Sequence, residues 1–420
     1  MSFDLIGVGA GPANLSLAAL LVAEETIRLR LFEQRPSVSW HPGLLLPGAG
    51  LQVSHLKDLV TPVLPTSPHS FLAFLVQHKQ FYRYLAAGYE RPTRAEFDRY
   101  LRWVASRLPS IEYRSRVEAV DHDGSGFVVT TGGREHRAGS VVLGSGPVPH
   151  VPDFAQPLLS DTVFHASEYG YRRPHPHQRV AVVGGGQSSA EVFLDLLDHD
   201  HRDPVLITRR SNLLPLDDSP FTNELFTPHY AMTFHGLDDS ARHRLLAEQV
   251  LASDGVSIEL LREIYRRMYQ LQYTSETSAR PVVRPQQELT GLRHGRRGWS
   301  LALRHTRTGE MREETADVVV LATGYRHDLP RYLDPLRDRI RMEAGSPVVR
   351  RDFSLDWDGP EGSAIYLQNA ARHSHGIADP NLSLLAWRSA VIANSVLGKE
   401  LYDVTDGPST VIWEEGKTRT

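Results

Sequence analysis

The chain has 420 residues, 41% of them apolar and 23% charged, enough for two or three domains with substantial cores. Its net charge of −4 gives no electrostatic case for a nucleic-acid or acidic-membrane partner. It has no cysteine, which excludes disulfides, thiolate metal sites, thioether-linked flavin and the paired-cysteine centre of disulfide reductases. No segment reaches the ~20 strongly apolar residues of a membrane span, and no cationic leader precedes the first strand, so a cytoplasmic protein is expected.

In chain order, an apolar strand from Phe3 to Ile6 runs into Gly7-Val8-Gly9-Ala10-Gly11-Pro12 and then a helix from Ala13 to Leu21. In that setting glycines serve a tight turn, a close backbone approach to a pyrophosphate and close helix–strand packing. Free N–H groups at the helix start face the phosphates, and the helix dipole favours their charge. The next strand, Ile27 to Glu33, ends in an acid near the ~20-residue offset at which a carboxylate meets a ribose hydroxyl. A dinucleotide without a 2′-phosphate, FAD or NAD, is therefore expected there. A polar, proline-rich stretch from Trp40 to Pro68 is too long for a plain connection, and such loops tend to be functional. From Phe71 to Leu108 the pattern is helical, with Phe97, Tyr100, Leu101, Trp103 and Val104 expected in a core. Val141 to Leu143, followed by glycines and by Pro147, Pro149 and Pro152, reads as a crossover between domains.

The second unit repeats the first. The strand Val180 to Val183 meets Gly184-Gly185-Gly186-Gln187-Ser188-Ser189 and a helix from Ala190 to Leu197. Its second strand, Val205 to Thr208, ends not in an acid but in Arg209-Arg210, planar donor forks suited to a 2′-phosphate, so NADPH is expected over NADH. A stretch of different character follows, opening with Asp217 to Glu224 and continuing as helices over Ala241 to Leu251 and Ile258 to Tyr273. In the second of these Leu260, Leu261, Ile264, Tyr265 and Met268 follow helical spacing. A buried strand, Ala316 to Leu321, leads to Ala322-Thr323-Gly324-Tyr325. Near the end, His375 to Pro380 precedes a helix over Leu382 to Leu397 that is expected to return to the first domain and aim its N-terminus at a flavin ring. The fold class is therefore α/β, with two Rossmann-like dinucleotide-binding domains and a small, mostly helical substrate insertion. The expected division is 1–165 with 326–420 for FAD, 166–212 with 291–325 for NADPH, and 213–290 for the insertion. None of the 20 histidines shows metal-ligand spacing, and His373 and His375 read as structural, so no metal is expected.

Taken together, these segments resemble the flavin-dependent N-hydroxylating monooxygenases of siderophore biosynthesis, the lysine and ornithine N-monooxygenases. The likeness runs through Gly7 to Leu15, Trp40 to Gly43, Leu51 to Val60, Pro65 to Pro68, His165 to Tyr169 and Gly184 to Ser188. It continues through Asp217 to Asn223, Ala322 to Tyr325 and His375 to Leu385. The resemblance implies that Gln52 and Lys57 lie beside flavin and substrate, that Lys57 pairs with a substrate carboxylate, and that Asn223 contacts the substrate. These three are its expected catalytic residues. Ser253 stands where ornithine enzymes usually carry an asparagine, and the Ser253-Asp254-Gly255 run resembles the lysine branch. Expected cofactor contacts are Gly7, Gly9, Pro12, Glu33, Trp40, His41 and Gln52 in the first unit, then Gly184, Gly186, Gln187, Ser188, Arg209 and Arg210 in the second. Thr323, Gly324, Tyr325, Asp379 and Leu382 complete the set.

The implied reaction reduces FAD with NADPH, forms a flavin hydroperoxide with dioxygen, and delivers one oxygen atom to the neutral side-chain amine of L-lysine. Cadaverine, putrescine or L-ornithine stay open as substrates, and a homo-oligomer, dimer or tetramer, is expected. Among rival readings, a disulfide reductase lacks its cysteines, and a Baeyer–Villiger enzyme would need a glycine that Phe164-His165-Ala166-Ser167 lacks. A flavoprotein acting only as a redox sensor stays open.

Overall fold

The computed structural model describes residues 2–199, 201–275 and 280–413. Ser2–Val8 takes the centre of a seven-stranded sheet because Leu5, Ile6 and Val8 are buried on both of its faces. Such continuous burial belongs to a strand with layers on both sides. It pairs in parallel with Leu29–Glu33 (Leu5 opposite Leu29) and with Arg134–Leu143 (Leu5 opposite Ser140). Ile111–Tyr113 extends one edge in parallel, and the antiparallel strands Phe127–Thr131 and Val117–His122 extend the other. Ile365–Leu367 returns from near the end of the chain to pair with Arg134–Leu143.

The first helix, Pro12–Leu21, is buried at all ten positions and has Pro12 in its first turn, where a missing N–H costs nothing. A helix apolar on every side needs cover on every side. The C-terminal helix, Leu385–Leu397, packs against it, with a 3₁₀ turn, Leu382–Leu384, ahead of it. The aromatic-rich region forms the helices Phe71–Gln77, Phe81–Ala87 and Arg94–Ala105. Ser70 and Thr93 cap the first and third by accepting the amides of Ala73 and Glu96. Phe97, Tyr100, Leu101 and Val104 enter the core beside the first helix, and Trp103 packs on its margin.

The second sheet has five parallel strands in the order Val282–Arg284, Arg202–Ile207, Arg179–Val183, Val318–Leu321 and Val163–His165. A three-stranded antiparallel sheet, Gln287–Gly295, Gly298–His305 and Met311–Ala316, accompanies it. Two expected limits move as a result. Val163–His165, placed in the first domain by its sequence, pairs with Val318–Leu321 in the second sheet. Val282–Arg284, counted in the insertion, pairs with Arg202–Ile207, so the helical insertion ends before 282 rather than at 290. Three-residue strands are too short to show a periodicity.

Within the insertion the helix expected over Ala241 to Leu251 is two, Asp239–Glu248 and Val250–Asp254, broken at Gln249. Ile258–Tyr273 forms as read and packs on the second nucleotide helix, Gln187–Asp198. Leu260 and Ile264 are buried in that contact, but Tyr265, expected with them, points to solvent at 76% exposure. Among the described residues no helix is long and apolar enough to cross a membrane.

Candidate active site

At the first turn the backbone is crowded inside and open outside. Gly9 has φ +87°, and a Cβ there would stand 2.6 Å from the Gly144 carbonyl oxygen; one at Gly7 would stand 2.3 Å from Leu31. A Cβ at Gly11 meets nothing nearer than 3.9 Å, so the outer rim can receive a ligand. The buried Asn14 amide shapes the turn by donating to the carbonyls of Gly9 (2.8 Å) and Val8 (3.2 Å). Glu33 reaches back from its strand end and accepts the Ala10 amide at 2.9 Å, which puts its carboxylate beside the turn.

The irregular loop carrying Gln52 and Lys57 is fixed by its own polar groups. Asp58 is buried and accepts the amides of Val60 (2.9 Å), Thr61 (2.7 Å) and Phe71 (2.6 Å), while Ser16 of the first helix donates to the Leu59 carbonyl at 2.5 Å. Lys57 is half-buried, and burial pushes its ammonium pKa below the ordinary lysine value. Its Nζ donates to Ser383 Oγ at 3.2 Å, and no carboxylate pairs with it among the described residues.

Gln52 joins three parts of the chain. Its amide donates to Gln187 Oε1 (3.3 Å), at the start of the second nucleotide helix, and to the Gly255 carbonyl (3.4 Å) in the insertion. Gln187 Oε1 also accepts the Ser257 amide at 3.0 Å. At the second turn a Cβ on Gly184 would stand 2.3 Å from the Ala322 carbonyl, whereas one on Gly186 meets nothing nearer than 3.7 Å. Ser188 stands in the first turn of the helix that follows. Arg210 donates to the carbonyls of Gly185 (3.1 Å) and Asp254 (2.8 Å), locking the insertion onto the turn. Arg209 is exposed and makes no hydrogen bond among the described residues, which leaves its guanidinium open to a phosphate.

Trp40, His41 and Tyr325 meet near the same face. The His41 ring lies 4.8 Å from Trp40 and 6.1 Å from Tyr325, and His165 lies 5.1 Å from Tyr325. Burial, with the nearby Arg94 and Arg35 cations, pushes the His41 pKa down to about 4, so the ring is neutral at physiological pH. The Tyr325 hydroxyl is buried and has no hydrogen-bond partner among the described residues. Thr323 donates to the His150 carbonyl, and the Gly324 carbonyl bonds His165 Nε2 at 3.0 Å.

The side chains of other expected residues are engaged by the chain's own groups. The Asp379 carboxylate is turned inward, bonding Arg388 Nη1 (2.9 Å) and the Ala371 amide (2.7 Å) at almost zero exposure, so its side chain holds the local fold. Leu382 begins the 3₁₀ turn that Asn381 caps. Asn223 is exposed at the end of the short helix Pro220–Asn223 and donates to its own turn at the Asp218 carbonyl (3.1 Å); no hydrogen bond joins it to Lys57 or Gln52. Ser253 accepts from Arg372 at 3.1 Å, and Asp254 pairs with the same arginine at 3.4 Å. His373 bonds the Pro347 carbonyl (2.7 Å) and His375 stacks on Phe353 (4.2 Å), both structural placements. No cluster of metal-ligating side chains is found among the described residues.

The residues present fit two dinucleotides: two crowded turns with open rims, an acid at the first and a free arginine at the second, joined through Gln52. Comparison with known proteins agrees. The L-lysine 6-monooxygenase/L-ornithine 5-monooxygenase family model matches residues 1–327. The chain belongs to this family. It is 40% identical to the L-lysine N6-monooxygenase of Escherichia coli over 99% of both chains. Its fold superposes on the FAD-bound cadaverine monooxygenase of Erwinia amylovora with a TM-score of 0.92 and 28% identity, covering 100% of both chains. An ornithine N-hydroxylase from Kutzneria sp. 744, solved with FAD, NADP⁺ and L-ornithine, matches at TM-score 0.88 and 31% identity, covering 95% of this chain and 99% of that one. This member of the family is thus a FAD- and NADPH-dependent N-hydroxylating monooxygenase, and the sensor-only reading falls away.

Sequence reading missed several residues that build the site. Asn14 and Asp58 lie inside quoted motifs, and a buried polar residue beside a glycine turn or in a structureless loop was the available signal. Arg94 and Glu191 had none, because they stand 97 residues apart in sequence.

Proposed function

We propose that this enzyme hydroxylates the side-chain amine of L-lysine. The observation that carries the reading is Lys57: a half-buried cation without a carboxylate partner among the described residues, on the loop pinned to the first helix. A substrate that brings its own carboxylate meets that need, and a diamine does not. When bound, FAD supplies the chemistry of accepting hydride from NADPH and activating dioxygen. The chain's own groups then hold the substrate carboxylate at Lys57 and shield the amine from water. Desolvation favours the neutral amine that must react. Ser253, tied to Arg372, and Asn223 line the insertion side in this reading, with Arg209 taking the 2′-phosphate. The product serves a siderophore or a related hydroxamate or N–N-bonded metabolite, in the cytoplasm.

Hydroxylamine formation with NADPH across L-lysine, L-ornithine, cadaverine and putrescine tests the proposal. Product is expected from L-lysine, and K57A should raise KM for lysine roughly 10- to 100-fold with a smaller effect on kcat. Because its pKa is lowered, Lys57 loses its charge at a lower pH than an exposed lysine. KM for lysine should therefore climb on the alkaline side earlier than such a lysine would allow. Product from a diamine alone would end the substrate assignment.

We also infer self-association through the helix Ile258–Tyr273, whose Tyr265, Tyr269 and Tyr273 are exposed at 76%, 54% and 66%. We place two copies antiparallel with Arg262 of one helix against Tyr269 of the other, a self-complementary cation–π match. Light scattering should show a dimer or tetramer that Y269E dissociates.

A further inference from the structure

Glu191 stands one turn after Gln187 on the second nucleotide helix, with its side chain only 3% exposed. Both of its oxygens are taken by Arg94, from the first unit: Nη1 to Oε2 at 2.7 Å and Nη2 to Oε1 at 2.9 Å. Arg94 is itself fixed, since Nη1 donates to the Leu44 carbonyl (2.9 Å) and its amide to the Ala49 carbonyl (2.8 Å). Glu191 Oε1 also accepts the Gln187 side-chain amide at 3.0 Å. That bond orients Gln187 so that its oxygen faces Gln52 and the Ser257 amide. One hydrogen-bonded chain thus runs from Arg94 through Glu191 and Gln187 to Gln52, crossing both nucleotide units and the insertion.

A buried ion pair stabilises a fold poorly against an apolar substitute, because two charges must be stripped of water. Its directional value is greater: a bidentate fork accepts one relative pose of the two elements it joins. We propose that Arg94 and Glu191 are positioning residues that set the pose of the second nucleotide domain on the first and, through Gln187, the orientation of Gln52. They thereby determine how much of the NADPH oxidised ends as hydroxylated amine. The coupling consequence rests on the N-hydroxylase reading above; the positional consequence does not.

E191Q keeps the shape and loses the charge, and R94K keeps the charge and loses the fork. In both FAD-loaded variants, hydroxylamine formed per NADPH consumed should fall roughly fivefold, hydrogen peroxide making up the difference. KM for the amine should stay near the wild-type value. Backbone hydrogen exchange in residues 253–257 should rise by a similar factor, since the Ser257 amide is held by Gln187. Adding Q187A to E191Q should lower the coupling ratio no further, because the two act through one chain of bonds. Wild-type coupling and wild-type exchange in either soluble variant would overturn the proposal. So would a loss of turnover in which NADPH consumption and hydroxylamine fall together while exchange is unchanged. If the wild-type enzyme hydroxylates no amine, the exchange measurement still decides the positional claim by itself.

Discussion

The two glycine turns have the same strand, turn and helix, yet the chain holds them down in different ways. Behind the first, the Ala13 carbonyl receives Gln368 Nε2 (3.2 Å) and Ser389 Oγ (3.4 Å) from the C-terminal region. Gln368 in turn accepts Arg388 Nε at 2.8 Å, and Arg388 is locked to Asp379 in the core. Among the described residues the second turn has no such backing from the C-terminal region. It is held from its ligand side by Arg210, by the insertion at Gly255 and Ser257, and by the Arg94–Glu191 pair. One nucleotide unit is built into the core of the molecule; the other is joined to it by these polar links beside a small apolar cluster in which Leu44, Leu46 and Ala49 meet Val192 and Leu196. A seam between domains that is only partly apolar opens more readily than a continuous core, so the flavin side should behave as a platform and the nicotinamide side as the part that adjusts.

The sharpest break in that contrast is at Arg388. Its guanidinium is 1% exposed, so R388M leaves Asp379 as an unpaired buried charge, and D379N leaves the arginine unpaired. Each single change should cost about 3–5 kcal/mol. The double variant R388M/D379N should cost less than the sum of the two, because it removes both charges. Calorimetry of the FAD-loaded protein reads this directly, and the loss of stability should be accompanied by loss of bound FAD. A stable R388M that retains its flavin would mean the first turn is not supported from behind.

A smaller effect should separate the turns by cofactor. R209A should raise KM for NADPH roughly 10- to 30-fold and leave that for NADH nearly unchanged, since a charge-assisted contact to the 2′-phosphate is all it removes. R210A should weaken both nucleotides alike, because Arg210 anchors the turn's own carbonyl at Gly185 and the insertion at Asp254. Equal losses for NADPH and NADH in R209A would move phosphate recognition away from this strand end.

Much of this was legible in the residues. Gly9, Glu33 and Gly184 are legible in a few residues around a turn, and the structure places each in or beside it, while Arg209 stands exposed just beyond the second strand. Ile258–Tyr273 was readable because sixteen residues give periodicity room to show. The three-residue strands Val163–His165 and Val282–Arg284 were not, and the domain limits moved with them. The side-chain partner of Asp379, Arg388, lies nine residues on and is visible only once the turn is folded. Arg94 and Glu191 stand 97 residues apart, and no local pattern pairs them.

The mildest test uses pH at the edge between the two units. His41 is half-buried near Arg94, and its pKa of about 4 lies below the 6.5 of an exposed histidine. Between those values the unfolded chain binds a proton that the folded one refuses. Stability therefore falls as pH drops through that window and is unaffected above it. Over pH 7 to 5 the contribution is about 1–2 kcal/mol. H41N removes the titrating group while keeping a residue that tolerates the left-handed backbone, φ 47°, found there. Thermal midpoints of the wild type should decline over that range more steeply than those of H41N. Identical slopes would mean that the His41 ring reaches water in solution, and that the seam between the units is looser than Trp40, Tyr325 and Arg94 make it here.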